Sequence, residues 1–282
     1  THRRSSAASD VYKRQEHSLP LAEIIKNYGK LTIAVSGGVD SMTLGSFAHR
    51  LMGRQQVKLV HALSPAVPKA ATLRVETQAE AEGWDLRMVD AGEFEDEQYR
   101  ANPFNRCFFC KTNLYQTLSG LSSGILVSGT NADDLQDFRP GLEAAQNHQV
   151  RHPYVEAGFN KDDVRALASE LGLPQLSRLP SSPCLSSRVE TGIRIERADL
   201  EAIDSVESWI QSEFNPKTVR CRVLAQGIMI QMDPLTLSGL DLEDQKMTEE
   251  RVFECFQHRP SSKVRFSAYQ RGSAFKIPEL QT

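Results

Sequence analysis

Leu31-Thr-Ile-Ala-Val-Ser-Gly-Gly-Val-Asp-Ser41 is the stretch that decides the fold. Leu31 to Val35 are apolar or β-favouring and read as a buried parallel strand. Ser36-Gly37-Gly38 then make a tight turn. From Val39 onward (VDSMTLGSFAHRLM) the pattern is helical, with Val39, Leu44, Phe47 and Leu51 on one face. A glycine turn between a buried strand and a helix N-terminus leaves backbone N–H groups pointing outward. Together with the positive end of the helix dipole they suit a phosphate. The phosphate loop of ordinary kinases and GTPases ends in Lys-Ser or Lys-Thr, and no lysine follows these glycines. The plain alternative is a turn that binds nothing. Ser, two Gly, Asp and Ser within six residues speak against it.

Working outward, 19–28 is amphipathic and Gly29 can close that helix. A second strand spans Val57 to Leu63, a helix Ala70 to Glu82, and a third strand Leu86 to Val89. A helix follows Asn105 to Lys111 (NRCFFCK) and runs to Leu121. Ile125 to Ser128 reads as a short strand running into Gly129-Thr-Asn-Ala-Asp-Asp134, and Asn160 caps a helix from Lys161 to Leu171. Strand, helix and strand at this spacing predict an α/β fold with a doubly wound, mostly parallel sheet. Ligands of such sheets sit beyond the carboxyl ends of the strands, where Gly37, Gly38 and Ser64 fall. Near Val189 the composition changes. A long amphipathic helix from Glu196 to Phe214 precedes two alternating strands, Thr218 to Leu224 and Ile228 to Met232, with Gln226-Gly227 as the turn. A helix around Glu249 to Gln257 and a strand at Lys263 to Ser267 complete a smaller C-terminal α+β domain. The expected domains are 16–190 and 191–282.

Three groups of residues carry chemistry. Ser128 to Asp134 is a carboxylate-rich loop at a strand end, able to hold Mg²⁺ beside a phosphate through Asp133 and Asp134, or else simply an acidic helix start. Cys107-x-x-Cys110 fits a redox pair, half of a zinc or iron–sulfur site, or a packed pair between aromatics. Cys184, on a loop rich in Pro and Ser, is the natural third thiolate, whereas Cys221 and Cys255 have apolar neighbours and read as core. Arg188, Arg220 and Arg222, with Glu207, are the remaining candidates, since arginine pairs phosphate or carboxylate bidentately. A solvated strand face is the alternative for Arg220 and Arg222.

Of 282 residues, 33 are Lys or Arg and 36 Asp or Glu, for a net charge of −3. Residues 1–15 hold four Lys/Arg and one Asp, leaving the rest at −6. That tail has no apolar core and reads as an artefact or tag, disordered and outside the fold. An acidic body argues against nucleic acid as the main partner. No apolar run approaches a membrane span. Five cysteines without an export signal point to the reducing cytoplasm.

The spelling SGGVDS (36–41) resembles the pyrophosphate loop, or PP-loop, of the N-type ATP pyrophosphatases, which cut ATP between its α and β phosphates and adenylate a substrate. RCFFCK (106–111), SGTNADDLQDFRPG (128–141), HPYVEAGFNKDDVRALASELGLP (152–174) and CLSSRVETG (184–192) follow in order. Together they resemble the LarE family of ATP-dependent sulfur transferases, over about Leu31 to Arg222. The resemblance implies adenylation of a carboxylate of pyridinium-3,5-biscarboxylic acid mononucleotide and its conversion to a thiocarboxylate, on the route to a nickel-pincer nucleotide. It implies ATP phosphates on Ser36, Gly37, Gly38, Asp40 and Ser41, an adenylate lined by Ser64, Gly129, Thr130 and Asn131, and Mg²⁺ near Asp133 and Asp134. Cys184 matches the family's sulfur-bearing cysteine. In one branch that residue gives up its own sulfur; in the other, three cysteines hold a [4Fe–4S] cluster, and Cys107 with Cys110 fits the second. The resemblance further implies a homo-oligomer and a sulfide or cysteine-desulfurase source of sulfur. A PP-loop tRNA thiolase, an amide-forming relative and a non-catalytic nucleotide sensor are the competing readings.

Overall fold

The structure, a computed structural model, describes residues 18–122, 124–136, 140–181, 183–260 and 263–276. The tail 1–15 lies outside them. Helix α1 (18–28) leads into β1 (Leu31–Ala34), followed by α2 (Val39–Met52), β2 (Val57–Leu63), α3 (Lys69–Glu82) and β3 (Asp85–Asp90). Next come α4 (Glu97–Arg100), α5 (Arg106–Leu121), β4 (Ile125–Val127), α6 (Pro140–Asn147), α7 (Pro153–Glu156), α8 (Lys161–Glu170) and α9 (Pro174–Ser177). The chain ends with α10 (Arg197–Phe214), β5 (Val219–Leu224), β6 (Gly227–Met232), α11 (Pro234–Gly239), α12 (Leu242–Cys255) and β7 (Val264–Ala268).

The chain forms two compact units. The first comprises the described residues of 18–63, 70–92 and 110–181; the second comprises those of 64–69, 93–109 and 183–276. In the first, four parallel strands run in the order β3-β2-β1-β4. β1 is central, so Leu31 and Ile33 are buried and their ladders run to both neighbours. That explains the continuous apolar spelling of this strand. The α2 residues Val39, Met42 and Leu44 pack with Val164, Leu167 and Ala168 of α8 in one core. Burying each large aliphatic side chain contributes roughly 1.5–3 kcal/mol. The fold is thus α/β with a mostly parallel sheet, joined to a smaller mixed sheet.

In the second unit β5 and β6 are antiparallel and β7 adds parallel to β6. Leu224 pairs with Gly227, so the hairpin turn is Ala225-Gln226 and Gly227 opens the strand, one residue earlier than its spelling suggests. On the other side of β6, Ile228 N–H donates to Lys263 C=O at 2.8 Å, at the start of the β7 ladder. α10 buries Leu200, Ile203, Val206 and Ile210 as one stripe. Fully buried Asp199 accepts from Arg259 Nε and Nη2 (2.6 and 2.7 Å) and His258 Nε2 (2.8 Å), which fastens the end of α12 to α10. α12 starts at Leu242, well before Glu249, because Asp241 and Asp244 form a reciprocal cap.

Candidate active site

The first unit holds the glycine loop. Val35 N–H donates to Val60 C=O at 2.9 Å, and there the ladder ends. Ser36 N–H donates to Ser41 Oγ (3.0 Å), and the two serine hydroxyls lie 3.1 Å apart, which folds the loop back on the first turn of α2. Gly37 sits at φ +79°, and a Cβ there would come within 2.6 Å of Ala71 C=O, so glycine is required twice over. Gly38 is extended and caps α2 without any side-chain hydrogen bond. The first N–H groups of a helix have no carbonyl of their own turn, so this end is open to an anion. From α3, Arg74 Nη1 grips Gly37 C=O at 2.5 Å, and burial pushes that guanidinium's pKa down.

Buried His61 on β2 supports the loop from beneath. Its Nδ1 lies 2.8 Å from Val35 C=O and its Nε2 3.0 Å from Thr72 Oγ1. A carbonyl only accepts, so Nδ1 carries the proton and Nε2 accepts from the threonine. Burial pushes the pKa of His61 down, in keeping with that neutral form.

The Ser128–Asp134 loop lies against α2. A Cβ on Gly129 would fall 2.7 Å from Ser41 N. Buried Asn131 donates from Nδ2 to Asp40 Oδ1 at 3.2 Å. Asn131 also starts a 3₁₀ turn (Ala132–Leu135), accepting from Asp133 N–H while Asp134 Oδ2 accepts from Asn131 N–H. Asp133 Oδ2 accepts from Lys161 N–H at 3.0 Å, and Lys161 Nζ pairs with Asp40 Oδ2 at 2.5 Å. Tyr154, buried on α7, donates to Asp40 C=O at 3.3 Å. Ser128 Oγ bridges Thr130 Oγ1 (3.0 Å) and His152 Nδ1 (2.9 Å), and burial pushes the pKa of His152 down. The structure therefore brings Ser36, Gly37, Gly38, Asp40, Ser41, Gly129, Thr130, Asn131, Asp133 and Asp134 into one unit. It adds Lys161, Arg74, His61 and His152, which the sequence reading missed. Lys161 had a legible signal: a lysine in a helix's first turn opposes the dipole and therefore implies a carboxylate partner.

The second unit holds the cysteine loop. Cys184 is exposed and begins a 3₁₀ turn (Leu185–Arg188). Arg188, 1% exposed, fastens that turn. Its Nη1 donates to Pro183 C=O (2.6 Å), Cys184 C=O (3.2 Å) and Ser187 Oγ (3.1 Å), while Nε and Nη2 make a fork with Glu207 (3.0 and 2.8 Å). Burial works against the charge of Arg188, and the Glu207 carboxylate outweighs it, so its pKa stands above the ordinary value. Glu207 also accepts from Cys221 N–H at 2.8 Å. Arg188 and Glu207 thus shape the thiol-bearing loop. Leu185 N–H donates to Ala66 C=O (2.8 Å), which ties this turn to the segment that follows β2 and contains Ser64. Tyr99 and Ser186, both buried, are joined through their hydroxyls at 2.6 Å.

Arg222 is 4% exposed, and its guanidinium donates to Gln231 Oε1 (2.6 Å), Ser187 C=O (3.2 Å) and Gln270 C=O (3.2 Å). A solvated strand face is excluded at this position. Burial, with the nearby charge of Arg188, pushes its pKa down to about 10. Half-buried Arg220 lies over the Tyr269 ring at 5.6 Å, and burial and Arg188 lower it too. Cys221 is fully buried, and burial pushes its thiol up.

Cys107 and Cys110 lie one turn apart on α5, inside the helix, where the sequence suggested a loop ahead of it. Cys107 is exposed and Cys110 half-buried. Cys107 and Cys184 belong to the second unit and Cys110 to the first. Among the described residues no three His, Cys, Asp or Glu side chains come together to hold a metal. The glycine loop does fit ATP, because a helix end without a side-chain cap faces outward beside a lysine and an arginine. Mg²⁺ carried with ATP takes most of its ligands from phosphates and water; Asp133 and Asp134, the carboxylates expected near it, lie on the 3₁₀ turn Ala132–Leu135. Among the described residues no helix is long and apolar enough to cross a membrane.

The open sheet with a glycine loop at the carboxyl end of its central strand defines a PP-loop nucleotide-binding protein of the ATP-utilising class. No family model matches the chain. It is 34% identical over 195 residues to an uncharacterised protein of Synechocystis sp., covering 68% of this chain and 72% of that one. It is 29% identical over 206 residues to pyridinium-3,5-bisthiocarboxylic acid mononucleotide synthase of Lactiplantibacillus plantarum, covering 72% and 74%. A glutamine-hydrolysing GMP synthase chain of Thermococcus kodakarensis is 29% identical over 204 residues, covering 65% and 66%. The chain belongs to one family with the Synechocystis protein, and its similarity to the Lactiplantibacillus synthase supports a LarE-type relationship.

Proposed function

We propose that this protein is an ATP-dependent sulfur transferase acting on a carboxylate of pyridinium-3,5-biscarboxylic acid mononucleotide. A substrate carboxylate oxygen attacks the α-phosphorus of ATP and pyrophosphate departs. Ser36 to Ser41, Lys161 and Arg74 hold the phosphates, and the positive charges offset the charge developing on the leaving group. Half-buried Arg220 suits the substrate's own phosphate or second carboxylate, whereas Arg222 is committed to Gln231, Ser187 and Gln270. The Cys184 thiolate then attacks the acyl carbon, and AMP leaves with the electron pair of the broken C–O bond. Loss of the Cys184 Cα proton breaks the Cβ–Sγ bond, and the pair stays on sulfur. Thiocarboxylate is released and dehydroalanine remains. The observation that carries this reading is Cys184 itself, an exposed thiol on a loop fastened by a buried arginine.

A second reading, in which Cys107, Cys110 and Cys184 hold a [4Fe–4S] cluster that supplies sulfide repeatedly, draws on the CxxC turn of α5. One experiment separates the two. Protein purified without oxygen is incubated with ATP and the biscarboxylate mononucleotide, and its absorption, its mass and the product are followed. A single turnover with loss of H₂S from Cys184 supports the sacrificial route. A brown chromophore that disappears in Cys107→Ala supports the cluster. Absence of pyrophosphate release and of sulfur-containing product, with Cys184→Ser behaving like wild type, overturns both.

A further inference from the structure

The first residue of α5 is Arg106. A positive side chain there lies at the positive end of the helix dipole, and side chains at a helix start lean back over the N-terminus. No acidic residue in the first turn offsets it. Arg106 is 5% exposed, and its Nε and Nη1 are buried without a hydrogen-bond acceptor among the described residues. The Phe275 ring covers its guanidinium, with the centroid 5.9 Å from Cζ. The buried arginines Arg188 and Arg222 of the same unit are handled differently. Arg188 has Glu207 and three further acceptors, and Arg222 has three oxygen acceptors. A buried guanidinium with idle donors and an adverse helix dipole is a costly arrangement for folding alone. It is a suitable one for receiving an anion, because planar forked donors match the oxygens of carboxylate and phosphate.

We propose that Arg106 at the head of α5 is an oxyanion-binding site that takes the carboxylate or phosphate group of a small ligand. It does not depend on the reaction proposed above. Phe275 forms one wall and the helix dipole adds to the attraction. A lysine in its place retains charge but loses the fork, so it binds more weakly.

Thermal unfolding of the full chain tests this in chloride, in inorganic phosphate and in pyridine-3,5-dicarboxylate, at equal ionic strength, for wild type, Arg106→Met and Arg106→Lys. A ligand that binds only the folded state raises its unfolding temperature in a saturable way. At least one oxyanion is expected to do so for wild type. Its apparent affinity should fall roughly tenfold to a hundredfold in Arg106→Met, the range of a charged hydrogen-bonded contact, and less in Arg106→Lys. Phosphate also stabilises proteins non-specifically, and the difference between wild type and variant removes that part. A response to the dicarboxylate alone assigns a carboxylate site, one to phosphate alone a phosphate site, and one to both a general oxyanion site. Equal responses of wild type and Arg106→Met, or no saturable response of wild type, overturn the proposal. If Arg106→Met does not fold, Arg106→Lys decides: an undiminished oxyanion response there overturns it. ATP-dependent stabilisation, measured alongside with Gly37→Ala as its control, reports on the nucleotide loop and so fails or succeeds separately.

Discussion

The glycine loop and the cysteine loop are built on opposite principles. The first is shaped mainly by backbone: Gly37, where a Cβ does not fit, and a helix start with no side-chain cap, with the Ser36 and Ser41 hydroxyls 3.1 Å apart across the turn. The second is shaped by one buried side chain, Arg188, whose donors hold three acceptors of residues 183–187 and the Glu207 carboxylate. A backbone-built loop presents N–H groups for a ligand and keeps its shape through local chemistry. A loop held by a buried ion pair keeps its shape only while both charges are present, because either one alone is costly to bury.

The most damaging change to the first region is Gly37→Ala. The positive φ and the 2.6 Å approach to Ala71 C=O displace the loop, and a shift of that size costs about 100-fold or more in rate. Pyrophosphate release at saturating substrate measures it. In the second region, Glu207→Gln leaves Arg188 buried without its counter-charge and should cost about 3–5 kcal/mol by urea unfolding. The double variant Arg188→Met/Glu207→Leu should cost less than Glu207→Gln, and equal losses in both would refute the ion-pair account. Lys161→Met removes one cation from Asp40 and should raise the KM for ATP about tenfold, the worth of one charged hydrogen bond. The smallest effect is on pH dependence. His61 has a folded pKa below its ordinary 6.5, so the unfolded chain binds a proton that the folded chain refuses. Stability from this group is complete above 6.5 and falls as pH drops toward the folded pKa. Thermal unfolding between pH 7 and pH 5 should show that decline, and His61→Gln should flatten it.

Legibility in the sequence follows the same division. SGGVDS and the alternation of strand and helix are short-range signals, and the parallel sheet, α2 and the loop at its start come from them. The Ser128–Asp134 loop is legible as a polar loop at a strand end for the same reason. Its acidic helix start is equally local, as the reciprocal Asn131–Asp134 cap shows, but the Asp133 bond to Lys161 N–H, 28 positions away, is not written in that spelling. Arg222 looked like a strand-face residue, since alternation cannot reveal that Gln231, Ser187 and Gln270 enclose it. Arg188 and Glu207 were picked out for a substrate. Their pairing, 19 residues apart, depends on how the 183–188 turn meets α10.

By itself the sequence determined the strand–loop–helix unit and the glycines its tight turn requires. Each of those depends on backbone sterics or on residue type, which act within a few positions. Tertiary structure alone decided which charges are paired. Lys161 with Asp40, Arg188 with Glu207 and Arg106 with no carboxylate among the described residues differ only in what long-range packing sets beside them. Charges interact through space and through burial, and neither is written along the chain.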